Sequence, residues 1–229
     1  MKKLLSIALC AAAITSFAAE VEIANVGVTS VTIPANQKNT IIAASFQDLS
    51  DTSKGVAINN LIKTATGLAN GDQVMVFKGG AYYTFTWDGT AWNANTKVTG
   101  EGTSAGLDLT TQATVGEGLW FIRASAENQV TITLYGATSS TTTSTVTAKA
   151  WNLIGNPTTA AYSFEGKGVK GDSLITVVNG ALCSYDRKTT GWYKTDATTG
   201  APTKETPTVA AGMGIWYKPQ SATTLDWSK

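Results

Sequence analysis

The sequence predicts an all-β protein made of two related antiparallel units, each a small sandwich or barrel-like sheet, and three observations carry that prediction. Residues 71–92, GDQVMVFKGGAYYTFTWDGTAW, return at 171–192 as GDSLITVVNGALCSYDRKTTGW with no gap between the anchoring Gly-Asp and Trp. β-Branched and aromatic residues gather in short runs divided by Gly, Asn, Asp and Pro, which is strand and turn chemistry. The chain is rich in Gly, Thr, Ser and Ala and poor in charge, a composition that suits an exported β protein with many turns.

The first residues have the three parts of a secretory signal: Lys2 and Lys3, an apolar stretch over 4–14, and small residues Ser16 and Ala18 at the cleavage position. The expected address is therefore extracellular, cell-surface or periplasmic, with residues 1–18 removed. Leu9 precedes Cys10, where a lipoprotein signal needs a small residue, so Cys10 is expected to leave with the signal. Without Lys2 and Lys3 the 17 basic residues fall to 15 against 16 acidic ones, a net charge of about −1. That balance implies no basic surface for nucleic acid. Cys183 is then the one remaining cysteine, which excludes an internal disulfide, and its strand setting predicts a small buried apolar residue. Beyond the signal no apolar run reaches the roughly 18 residues that span a bilayer as a helix. The closing LDWSK reads neither as an anchor nor as a wall-sorting signal.

Residues 21–33 are β-branched with partial alternation, predicting one bent strand or a pair that Pro34 closes. A second strand follows over 40–46. Val56, Ile58, Leu61, Ile62 and Ala65 recur near helical period between Ser53 and Gly67, predicting one short helix in the first unit. The hairpin strands of the duplicated stretch fall at 73–78 and 81–87 around Gly79-Gly80, with a further strand from 91. Polar, Gly-rich residues 96–114 read as a loop, and strands follow over 116–124 and 129–135. The Ser/Thr-rich run at 137–142 divides a first unit, 19–136, from a second, 143–229. The second unit repeats the plan in shorter form: a strand at 151–154, a hairpin at 173–178 and 181–186, a strand within 211–219, and a last strand at 223–227.

WNLIGNP at 151–157, the Gly-Asp hairpin with its following Trp, and the strand around Gly214-Ile215-Trp216-Tyr217 together resemble a duplicated β-rich repeat of exported bacterial surface proteins. The first unit matches through its hairpin and GEGLWF at 116–121, and lacks the Trp-Asn-Leu and Asn-Pro parts. The resemblance implies a secreted β module displayed at or near the envelope, and it implies no activity.

The chain has no His, which removes Ser-His and Cys-His nucleophile pairs and the commonest transition-metal ligand. Carboxylates for an acid-pair glycosidase are present at Asp72, Asp88, Glu101, Asp172 and Asp186, yet Asp72 and Asp172 sit in matching turns where they serve the local backbone. Asp48-Leu49-Ser50-Asp51 offers oxygen ligands without the spacing of a calcium loop, and reads as a capping turn. No catalytic residue, metal site or cofactor is expected. Trp92, Trp120, Trp192 and Trp216 hold repeated positions and are expected in the core. Trp87, matched by Arg187, and Tyr193, matched by Asn93, are not repeated, and are the candidates for ligand contact. The leading expectation is a non-catalytic structural or interaction protein whose partners are other surface proteins, a second copy paired through the N-terminal strand, or glycans. A carbohydrate-binding module is the alternative, and a glycosidase the remote one.

Overall fold

The computed structural model describes residues 26–57, 65–78, 81–94 and 112–229, and the expected signal segment at 1–18 lies outside them. The described residues form strands and no helix. In the first half these are β1 (Val26–Ile33), β2 (Asn39–Ala43), β3 (Phe46–Gln47), β4 (Val56–Ala57), β5 (Gln73–Lys78), β6 (Ala81–Trp87), β7 (Trp92–Ala94), β8 (Gln112–Ala113), β9 (Gly118–Ile122) and β10 (Val130–Thr138). In the second half they are β11 (Thr143–Val146), β12 (Asn152–Gly155), β13 (Tyr162–Ser163), β14 (Ser173–Val178), β15 (Ala181–Lys188), β16 (Gly191–Thr195), β17 (Pro202–Lys204), β18 (Thr208–Val209), β19 (Gly214–Lys218) and β20 (Thr223–Asp226).

All the pairs are antiparallel, and one scheme serves both halves. A five-stranded sheet runs β2-β9-β5-β6-β7, and a six-stranded sheet runs β12-β19-β14-β15-β16-β17. The registers agree as well: Met75 lies opposite Trp120 as Ile175 lies opposite Trp216, and Gln73 faces Thr86 as Ser173 faces Asp186. Short bridges recur too, with β4 on β8 and β13 on β18. In each half the first strand closes on the last, β1 on β10 over eight residues and β11 on β20 over four.

The expected helix meets a correction at its start. Val56 is buried and belongs to β4, because pairing with Ala113 satisfies its backbone and covers its side chain; residues 58–64 lie outside the described residues. The connection between halves is also shorter than composition suggests. Ala137 and Thr138 remain in β10, paired with Val26 and with Gln47 and Phe46, so 139–142 alone link the halves.

Each half fills its own core. Phe85, Phe121, Leu119, Ile132 and Leu134 pack in the first, and Phe164, Leu174, Tyr185, Trp192 and Tyr217 in the second. Burying each such side chain contributes about 1.5–3 kcal/mol relative to exposure. A third cluster joins the halves: Ile41, Leu153 and Trp216, with Phe77, Trp120, Trp151, Ile175 and Val177 against them. Trp120 and Trp216 meet there edge to face, with ring centroids 6.3 Å apart at 82°, and Phe77 meets Trp216 at 6.0 Å. β9 and β19 are thus covered on both faces, one face to a core and the other to this joint.

Candidate interaction surface

Turn chemistry fixes the frame. Asp72, with 0% exposure, accepts the Ala69 N–H on Oδ2 and the Ala124 N–H on Oδ1, each at 2.9 Å. Asp172, with 2%, accepts the Val169 N–H at 2.9 Å and the Gln220 N–H at 2.8 Å in the same manner. Gly71 and Gly171 precede them at φ of 90° and 97°, a conformation that glycine adopts at little cost. These carboxylates tie the start of the hairpin to the backbone just beyond β9 in the first half and β19 in the second. A buried carboxylate occupied by backbone amides is a structural staple, which accounts for the repeated Gly-Asp.

Among the described residues, no group of three or more acidic or cysteine side chains is arranged to hold a metal ion. At 48–54, Asp48 Oδ1 accepts from the Ser50 N–H, Asp51 Oδ1 accepts from the Ser53 N–H, and Lys54 Nζ sits 2.6 Å from Asp51 Oδ2. Those bonds hold the Asp51 carboxyl down to about 2, with Lys54 the largest cause. Asp88, exposed, is likewise held well below its ordinary value, first by the Ala91 and Thr90 N–H groups. Asp186 accepts from the Ser173 hydroxyl at 2.8 Å. Glu101 lies outside the described residues.

Trp87 and Tyr193 lie in separate sheets. Trp87, at the end of β6, is half-buried against the first core, with its ring 5.5 Å from that of Trp92. Tyr193, in β16, is half-buried too; its hydroxyl lies 2.9 Å from Thr190 Oγ1, and Lys188 Nζ stands 4.7 Å over its ring. Arg187, at the position of Trp87, donates from Nε to Lys167 O at 3.2 Å. Cys183 is half-buried beside the second core and not fully enclosed as its sequence setting suggested.

A cavity of about 400 Å³ opens in the second half, lined by Tyr162, Lys167, Asp172, Tyr217, Asp226 and Lys229. Several of its polar groups engage one another. The Tyr217 hydroxyl donates to Asp172 Oδ2 at 2.6 Å, Lys229 Nζ lies 2.8 Å from Asp226 Oδ2, and Lys167 Nζ covers the Tyr162 ring at 4.1 Å. Burial pushes the Tyr162 hydroxyl up to about 12, helped by nearby Asp226.

β1 is different in kind. It forms one edge of the sheet β1-β10-β3, with β10 as its strand neighbour among the described residues. Its sequence VGVTSVTI has no charge and no proline, and its outward face presents Val26 and Val28, 53% and 67% exposed. On that face Ser30 and Thr32 hydroxyls pair with those of Thr133 and Thr131, at 3.1 and 3.4 Å. By contrast, the outer strand β17 of the six-stranded sheet is short, fully exposed, and carries Pro202 and Lys204, residues that discourage further pairing. Alongside β1 runs a groove of about 540 Å³ lined by Gly27, Val28, Phe46, Thr158 and Gly212 among others.

The sequence places a strand in the N-terminal segment but misses the joint between halves. The signal was present. GLWFI at 118–122 and GIWYK at 214–218 are apolar almost without alternation, the pattern of a strand covered on both faces. Comparison with models of known protein families, with curated proteins and with solved structures finds no match.

Proposed function

We propose that this chain is an exported, non-catalytic surface protein, an internal duplication whose edge strand β1 pairs with the same strand of a second copy. The observation that carries the reading is β1: an eight-residue edge, free of charge and proline, with two exposed valines. A long apolar edge is a template for strand addition, and proteins that avoid pairing blunt such edges. The strand pairing and registers common to both halves support the duplication. Lys2, Lys3 and the apolar stretch after them support export. No enzyme role or cofactor is part of the reading, since the chain lacks His and its buried carboxylates Asp72 and Asp172 are engaged by backbone amides. The glycan-binding alternative needs a row of aromatics on one sheet face, whereas Trp87 and Tyr193 belong to different sheets.

The test replaces Val26 and Val28 together by Lys. Both side chains point outward, so each exchange alters stability by no more than about 0.5 kcal/mol. Light scattering after size-exclusion chromatography should show the natural chain gaining mass with concentration and the variant remaining monomeric. A natural chain that stays monomeric throughout would sink the proposal. Protection of tryptophan from iodide by one polysaccharide would favour glycan binding in its place.

A further inference from the structure

The joint between the halves is reciprocal at the level of single hydrogen bonds. The Ala43 N–H, at the end of β2, donates to Gly212 O at 2.8 Å. The Gly155 N–H, at the end of β12, donates to Gly116 O at the same 2.8 Å. Gly116 and Gly212 hold matching places, each two residues before its β9 or β19. The isolated bridges follow suit: Ile42 pairs with Met213, and Ile154 with Glu117. At the middle Trp120 meets Trp216, its own counterpart, and Ile41 clusters with Leu153, its own counterpart. Each of these residues therefore touches what its equivalent in the other half touches in return. That is the signature of an isologous contact, in which the same patch on two bodies is complementary to itself.

Resting on the duplication reading, we infer that this joint is a homodimer interface fused into one chain, and that the partner it fits is a second copy of the same half. A contact that arose between unlike surfaces would have no reason to repeat its backbone bonds across the pair. The closeness of the approach limits what can occupy it. A Cβ on Gly155 would lie 2.4 Å from Ala43 Cβ, so the partner must bring a small residue to that point, as either half does. The second half is suited to stand alone, because its core of Phe164, Leu174, Tyr185, Trp192, Ile215 and Tyr217 is drawn from its own residues.

The test expresses residues 139–229 alone. The expected result is a folded species of twice the chain mass by light scattering, with Trp216 shielded from acrylamide. Gly155→Leu in that half should abolish the doubling while its circular dichroism is retained. A second protein joins two copies of 139–229 in tandem through their own 139–142 segment, and should be a folded monomer with both copies of Trp216 shielded. A half that is folded yet monomeric overturns the inference, as does a half that folds neither alone nor in tandem. The shared strand pairing would stand in either case, so such a result would remove the self-complementary joint without removing the duplication.

Discussion

Where the first half has Phe85 and Phe121 in its core, the second has Tyr185 and Tyr217 at the same register positions, and the exchange changes what holds each half together. The Tyr217 hydroxyl donates to the stapling Asp172, and Tyr185 donates to Glu205 Oε1 at 2.8 Å. The indoles diverge likewise: Trp192 Nε1 donates to Lys167 O at 3.1 Å, while Trp92 Nε1 has no partner among the described residues. One pairing scheme thus supports an apolar core and a hydrogen-bonded one. Strand register is set by the turns and staples, and core chemistry varies freely within it.

The comparison breaks most severely at the joint the halves share. Trp216→Ala should destabilise the protein by about 3–5 kcal/mol, the cost of a large cavity, and Trp120→Ala by less because Trp120 is only half-buried. Urea denaturation of both variants checks the order, and equal losses would show that the two rings contribute alike. Tyr217→Phe makes the second half resemble the first. It deprives Asp172 of one donor and should cost about 1–3 kcal/mol by the same measurement.

Alkali should separate the halves further. Burial, then the bond to Asp172, pushes the Tyr217 hydroxyl far up; burial, then Glu205, does the same for Tyr185. A raised folded pKa contributes stability that is complete below the ordinary tyrosine value of 10.0 and is lost as pH climbs through the folded values. Near-ultraviolet titration should show these tyrosines ionising together with loss of structure in the second half, and free titration near the ordinary value would contradict their burial. The smallest effect lies at the opposite extreme of pH. Asp88 turns β6 into β7, whereas Lys188 ends β15 at the equivalent point. A depressed carboxyl contributes above its ordinary value of 3.8 and loses that contribution as pH falls below it. The protection of the Thr90 and Ala91 amides against hydrogen exchange, taken relative to the intrinsic rate at each pH, should therefore fall in acid, with no matching fall at residues 190 and 191.

Legibility in the sequence followed locality. The hairpins β5-β6 and β14-β15 were readable because alternating residues and turn glycines lie within one short stretch, and β5, β6 and β14 fall where the pattern places them. Val56 read as helical because two or three apolar residues at spacing of three or four fit either period when the true strand is two residues long. β13, β17 and β18 were invisible for the same reason: two- or three-residue strands carry no period. Trp120 and Trp216 were expected in the cores, and they face each other across the joint instead. Their repetition says that both halves need them, and only the neighbouring half says why. As for the surface, the lack of charge in β1 was legible, while the exposure of Val26 and Val28 depended on which face β10 and the first core would claim.

The closure of β1 on β10 also sets the order in which this polypeptide can become safe. Ile33 must wait for Val130, roughly a hundred residues later. At about 5–20 residues per second of synthesis, that is a delay on the order of ten seconds. Throughout it, this uncharged strand has no mate within its own chain. Contacts of such long range also slow the search for the native pairing. A crowd of nascent chains thus has a window in which β1 of one finds β10 of another, and the yield of monomer should depend on how thinly those chains are spread.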